Sequence, residues 1–383
     1  MTITTNTIPT FKELVEFIKD VPNIDHEAVS LVRKAEKKSK IRQFGVLEEL
    51  AEWLSGWQGS YPPRADNIVM SIFISNHGIS DKYDISEYPK SNQDSLVSGF
   101  KSESSSLNQL CKLHNIGLQV FDLAMELPTE DITRKPAMEI NDCITTILYG
   151  REAISSNPDL LCLGEAGIGN DTIALAMCCA LFGGDIEGWL DPDADIKIRE
   201  NQVKIINAAL NLHKERQPLE ILRNLGGRDF AAMVGAIISA RFERVPVILD
   251  GISACTAAAL LFAISPHTID HCYAAHQSHN PSHGKLLSII NKKPLLDLEL
   301  LETNGCAAAL TIPIIASAIH IHNNKSDDII KKAIKGMLPN SPLFRDLMKN
   351  NLKLYKDANH PHESQNPKNL DFKSINRKNK VNV

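Results

Sequence analysis

The feature that most constrains this chain is a recurring unit: a short, nearly continuous apolar run, a polar or glycine-rich turn, then an apolar helix. The clearest run, Ile68-Val69-Met70-Ser71-Ile72-Phe73-Ile74, lies within Asn67–Ser75 and stops at Asn76-His77-Gly78. A strand that is apolar at successive positions is buried on both faces, as in a parallel sheet covered by helices. The unit recurs at Gly117–Leu123, at Leu160–Leu163 before a helix over Thr172–Phe182, and at Val245–Leu249 before Asp250-Gly251 and a helix over about 254–264. Thr268–Ala275 is a further strand candidate. This alternation predicts an α/β fold, a doubly wound parallel sheet with helices on both faces. Such sheets bind ligands beyond the carboxyl ends of their strands. Chemistry is therefore expected in the turns at 76–78, 164–170, 250–251 and 276–278.

Composition sets the class. The chain has 383 residues, 43% of them hydrophobic and 23% charged, enough for a large core and unlike a disordered or fibrous chain. Lys and Arg number 41 against 46 Asp and Glu, a net charge of −5. No basic stripe interrupts this mild acidity, and aromatics are only 5%, which argues against a nucleic-acid partner. The eight cysteines form no C-x-x-C pair and sit in apolar company, as in Leu161-Cys162-Leu163, which predicts buried thiols in a reducing compartment. The first residues, Met-Thr-Ile-Thr-Thr-Asn, lack the basic and apolar regions of a signal peptide. Apolar stretches such as Ala254–Ile264 fall short of the ~18–20 residues that span a bilayer. A cytoplasmic protein with no membrane partner is expected.

Helical periodicity over 26–58, with Val46, Leu47, Leu50, Ala51 and Leu54 as an apolar stripe, predicts an N-terminal helical segment over residues 1–60. Tyr61-Pro62-Pro63 breaks it. The α/β domain is expected over 61–322, a C-terminal helical segment over 323–357, and a disordered tail over 358–383, where Asn, Lys, Ser and Asp dominate.

The strongest local signal is Gly164-Glu165-Ala166-Gly167-Ile168-Gly169-Asn170, between a strand and a helix. Its glycines let backbone N–H groups approach an anion at the helix start, and a sugar phosphate is the natural ligand. The spacing is neither that of the dinucleotide fingerprint nor that of a Walker loop. Glu165 suits a developing positive charge or a hydroxyl better than a phosphate. Gly226-Gly227 is either a second anion nest or a helix start capped by Asp229. His271, Cys272, His276, His279 and His283 match no compact zinc spacing. No G-x-S-x-G elbow occurs. No metal and no cofactor is implied.

Taken together, these turns resemble the nicotinate-nucleotide–dimethylbenzimidazole phosphoribosyltransferases of cobalamin lower-ligand synthesis. The resemblance runs from about residue 40 to 322. It is carried by Gly45-Val46-Leu47-Glu48-Glu49-Leu50-Ala51, Asn76-His77-Gly78-Ile79, Glu87-Tyr88-Pro89-Lys90 and Cys162–Thr172, then by Leu225-Gly226-Gly227-Arg228-Asp229, Val245–Gly251, Ala275-His276-Gln277-Ser278 and Leu295–Pro313. It implies a small helical domain from the terminal segments and a homodimer. It also implies a reaction: a benzimidazole nitrogen attacks the anomeric carbon of nicotinate mononucleotide, giving α-ribazole 5′-phosphate and nicotinate. By the same resemblance, the substrate site is His77, Lys90, Gly164, Gly167, Gly169 and Asn170, with Gln202, Gly226, Gly227, Asp250, Gly251, His276 and Ser278.

Several site positions depart from the family pattern. The family's proton-accepting Glu falls on Asn304, within Glu302-Thr303-Asn304-Gly305-Cys306, and an amide cannot take a proton. A family Lys near the nucleotide phosphate falls on Gln202, and a family Glu falls on Asn280. Asp191, Asp193 and Asp195 make the segment after Trp189 acidic, and Asp171 adds a further carboxylate. Two readings follow. In the first, the chain is an active transferase in which Glu302, Glu165 or water takes the proton. In the second, it is a weak or inactive homologue that binds nucleotide or base, or one subunit of a heteromer; a different small-molecule role on the same fold stands beside both.

Overall fold

A computed structural model describes residues 8–36, 44–80, 82–86, 91–301 and 304–336. In chain order the elements are α1 (Phe11–Lys19), α2 (His26–Glu36), α3 (Val46–Gln58), β1 (Ile68–Ile74), α4 (Ser91–Lys101), α5 (Ser106–His114), β2 (Gly117–Asp122), α6 (Ile140–Tyr149), β3 (Leu160–Glu165), α7 (Asn170–Phe182), α8 (Ile196–Leu212), α9 (Pro218–Leu225), α10 (Arg228–Phe242), β4 (Val247–Leu249), α11 (Gly251–Ile264), β5 (Cys272–Gln277), α12 (Pro281–Ile289), β6 (Pro294–Asp297) and α13 (Cys306–Gly336). The described residues up to 324 form one compact unit, and 325–336 belong to a second. Residues 337–357 and the expected tail lie outside the described residues.

The six strands form one sheet in the order β2-β1-β3-β4-β5-β6, every pair parallel. The chain leaves β1 for β2 on one side and returns to β3 on the other. That reversal opens a crevice beyond the carboxyl ends of β1 and β3.

The period-2 geometry of a strand splits the apolar runs between two cores. In β1, Ile68, Met70, Ile72 and Ile74 face one side, packing with Leu50 and Leu54 of α3, Leu107 of α5 and Ala307–Ala309, Ile312 and Ile315 of α13. Val69 and Phe73 face the other, with Leu161 and Leu163 of β3, Ile144 and Ile147 of α6 and the helices α7, α10 and α11. Ser71, the polar exception, is buried and donates to Gln119 Oε1 at 3.3 Å. Helices α7 and α11 are buried almost all round, which is why they are apolar on every face.

Several boundaries differ from those expected of the sequence. The periodicity over 26–58 resolves into α2 and α3, and Val46 stays half exposed while Leu50 and Leu54 are buried. Residues 266–269 form a 3₁₀ turn, so β5 starts later than expected. The edge strand β6 has no detectable sequence pattern, because its four residues are at most half-buried and it opens on a proline, which an edge tolerates. The first 19 residues of α13 are long and apolar enough to cross a membrane by composition, contrary to the expectation that no stretch is, but Ala307–Ala309, Ile312 and Ile315 place that character in the core.

Phe73 is fully buried and stacks on Phe121 with ring centroids 4.9 Å apart. Phe73→Ala should destabilise the fold by about 3–5 kcal/mol, measured as a lower denaturant midpoint at unchanged slope.

Candidate active site

Four turns meet at the carboxyl edge of the sheet. Ala166 N–H donates to Phe73 O (3.1 Å), which ties the segment after β3 to the end of β1. Asp250 N–H donates to Leu163 O (2.9 Å), and Asp250 Oδ2 accepts the Ala308 N–H (3.4 Å), tying the start of α11 to α13. Gly164 lies inside β3 and not in the turn. A Cβ there would stand 3.3 Å from Gly305 N, so its role is to let the 304–305 segment press against the strand.

These segments enclose a cavity of about 830 Å³. Its lining includes Glu165, Gly167, Gly169 and Asn170, Gln202, Asp250 and Gly251, His276 and Ser278, and Asn304 with Gly305. His77, Gly164, Gly226 and Gly227 are not part of the lining, whereas Lys90 and Glu302 fall outside the described residues. Among the described residues no Lys or Arg faces this space, while Asp171, Asp191 and Asp193 do. Asp195 serves a different purpose, capping α8 through the Lys197 and Ile198 N–H groups. Asn280 lines the cavity and caps α12 through the Ser282 N–H at 3.0 Å.

Asn170, at the start of α7, is the hub. Its Nδ2 donates to Glu165 Oε2 (2.5 Å) and Asp229 Oδ2 (2.7 Å), and its Oδ1 lies 3.1 Å from His77 Nε2. His77 Nε2 is also 3.3 Å from Asp229 Oδ2. Both neighbours of Nε2 are acceptors, so that nitrogen carries the hydrogen. Ser253 Oγ donates to the other Glu165 oxygen at 3.0 Å. A buried chain thus runs from His77 and Asp229 through Asn170 to Glu165, which faces the cavity.

Two glycines make this geometry accessible. Gly169 has φ +85°, where a side chain is strained, and a Cβ on it would meet Ser80 Oγ at 2.7 Å. A Cβ on Gly167 would collide with Asn170 Oδ1. The Gly226-Gly227 pair is not an open anion nest: a Cβ on Gly227 would strike His77, so the glycine makes room for the imidazole. The N-cap residue of α10 is Gly227 and not Asp229, whose Oδ1 accepts the first-turn Phe230 N–H while its Oδ2 turns to His77 and Asn170. Ser253 has no sequence signal beyond its place in the first turn of a helix that follows a strand.

On the far side of the cavity His276 is fully shielded from solvent, with Nδ1 3.7 Å from Asp250 Oδ1 and its ring 5.4 Å from that of His283. Burial pushes its pKa down to about 4, although Asp297 acts in the opposite direction. His283 is lowered to about 3 by burial and by His276. Among the described residues no group of three or more His, Cys, Asp or Glu is arranged to hold a metal ion. His271, one of the five sequence candidates, instead points Nε2 at Ile237 O, 3.0 Å away.

Burial alone would raise the Asp229 carboxyl, but His77, the Phe230 N–H and Ser75 hold it below the ordinary carboxylate value. A carboxyl whose pKa falls on folding stabilises the fold above its unfolded value of about 3.9, and that stability is lost as pH drops through the lower folded value. Asp229→Asn should therefore lose roughly 1–3 kcal/mol at neutral pH. The gap to wild type should narrow in thermal unfolding as the pH falls below the carboxylate range.

Both the sequence and the fold have known relatives. A phosphoribosyltransferase family model matches residues 21–328, and a ribosomal protein L13 model matches the short stretch 315–361. The nicotinate-nucleotide–dimethylbenzimidazole phosphoribosyltransferase of Brucella abortus (strain S19) is 41% identical over 319 residues, covering 82% of this chain and 94% of its own. That of Brucella anthropi is 40% identical over the same spans. The crystal structure of the Thermus thermophilus enzyme of that name superposes with a TM-score of 0.71 at 28% identity, covering 78% of this chain and 96% of its own. With a family match over most of its length and relatives at this identity, the chain belongs to the nicotinate-nucleotide–dimethylbenzimidazole phosphoribosyltransferase family.

Proposed function

We propose that this protein moves the 5-phosphoribosyl group of nicotinate mononucleotide to 5,6-dimethylbenzimidazole or a similar base, giving α-ribazole 5′-phosphate and nicotinate. The observation that carries the reading is one cavity formed by the turns after β3, β4 and β5 and by Asn304-Gly305, in a chain 41% identical to enzymes named for this reaction. A volume of about 830 Å³ is ample for a nucleotide and a flat bicyclic base together.

The bond from the anomeric carbon to the pyridine nitrogen breaks, and its electron pair neutralises the departing ring. The benzimidazole nitrogen bonds to that carbon from the opposite face, which converts a β-linkage into an α-linkage. Positive charge develops on the ribose between the two events. Glu165, oriented by Asn170 and Ser253, supplies a fixed negative charge to meet it. The phosphate is met by backbone N–H groups at the α7 N-terminus, since among the described residues no cationic side chain lines the cavity. Gln202, with Nε2 held on Thr172 Oγ1 at 3.1 Å, adds a neutral amide to the cavity wall.

An inactive or heteromeric homologue is not favoured. The six-stranded parallel sheet is present, and the identity to the Brucella enzymes extends over 94% of their length. A cytoplasmic homodimer belongs to the same reading. Light scattering coupled to gel filtration should then give about twice the chain mass of 42.3 kDa.

Purified protein with nicotinate mononucleotide and dimethylbenzimidazole should yield α-ribazole 5′-phosphate by mass spectrometry. Each substrate alone should raise the melting midpoint, since a ligand at a hundred times its Kd stabilises by ~2.7 kcal/mol. No product above the enzyme-free control would refute the proposal.

A further inference from the structure

The reaction leaves one proton to be accounted for. One benzimidazole nitrogen attacks while the other still bears a hydrogen, which must depart to give a neutral base in the product. Asn304 has no basic atom to receive it. Glu165 accepts from the Asn170 amide at 2.5 Å and the Ser253 hydroxyl at 3.0 Å, contacts that favour its ionised form and suit it to face the ribose charge.

His276 is differently placed. It lines the cavity, its side chain is fully buried, and among the described residues neither ring nitrogen has a hydrogen-bond partner. A buried imidazole without a partner is costly, which marks it as a group whose partner arrives with a ligand. Asp250 Oδ1 stands 3.7 Å from its Nδ1 and is itself buried, steadied by the Ala308 N–H. His283, edge-on at 5.4 Å, accepts the Ser278 N–H on Nδ1 at 3.1 Å and points Nε2 at Cys255 Sγ. Two carboxylates then bear on the His276 ring: Asp250, 3.7 Å from Nδ1, and Asp297, whose charge favours the protonated form.

We propose that His276, backed by Asp250, accepts the benzimidazole N–H proton in this protein, in place of a carboxylate at position 304. The inference rests on the transferase reading above. As the new N–C1′ bond forms and the old one breaks with its electron pair going to nicotinate, the second benzimidazole nitrogen releases its proton to a ring nitrogen of His276. Asp250 stabilises the imidazolium until the proton passes to water with the departure of product. Burial keeps the imidazole neutral, with a lone pair available, at physiological pH. An N-alkylated benzimidazolium is acidic enough to give its proton to a weak base.

The test compares kcat and KM, with nicotinate mononucleotide and dimethylbenzimidazole, for wild type, His276→Gln, Asn304→Glu and the double variant. His276→Gln should lose ~10²- to 10⁴-fold in kcat with KM for both substrates little changed. Adding Asn304→Glu to it should recover at least about one order of magnitude, which a merely structural defect would not permit. Equal kcat in wild type and His276→Gln, or a loss that Asn304→Glu leaves untouched, overturns the inference. If His276→Gln does not fold, Asp250→Asn decides: a fall in kcat with both substrates still raising the melting midpoint supports the proposal, and an unchanged kcat overturns it. A wild-type protein that forms no product overturns the transferase reading and this inference with it, whereas an active wild type matched by its variants overturns the inference alone.

Discussion

A single primary amide holds the site together. Asn170 sits where a strand-end turn becomes a helix, and its side chain contacts a carboxylate facing the cavity, a carboxylate buried behind it and an imidazole from a third turn. Burying Asp229 and His77 behind half-buried Glu165 without that bridge would leave charges and dipoles facing apolar surroundings, at a cost of several kcal/mol. The glycines at 167, 169 and 227 follow from the same requirement, because each removes a side chain that would displace a member of the chain or the turn that carries it. The sheet supplies the rest: the reversal between β1 and β3 brings the end of the first strand beside the turn after the third.

The elements that are plain in the sequence are those with the strongest local pattern. Seven successive buried residues in β1 and the apolar run of β3 point to a sheet covered on both faces, and the Ala-rich helices that follow point to what covers it. What stays hidden is short or non-local. The strand β6 has four residues and no period to detect. Gly164 reads as a turn glycine until the 304–305 segment is seen against it. Asp229 reads as a helix cap until His77 and Asn170, distant in sequence, are seen to claim its carboxylate. That the His276 ring finds no hydrogen-bond partner among the described residues has no sequence signature at all, since it is a property of everything packed around it.

The positions where the resemblance implies a departure from the family pattern fall where the fold can absorb one. Asn280 and Asp195 cap helices, Gln202 shares a hydrogen bond with Thr172, and none of these changes touches the two cores. Fold and chemistry are thus carried by separate residues, and one can drift while the other is kept.

The backbone at Asn304 adds a further consequence. Its φ is +42°, in the left-handed region that asparagine enters readily and that most L residues occupy only with strain of ~1–2 kcal/mol. The amide at this position therefore relaxes a turn that a longer acidic side chain would hold under tension. Conformational ease and proton affinity pull this loop in opposite directions, and this protein has settled on the side of ease.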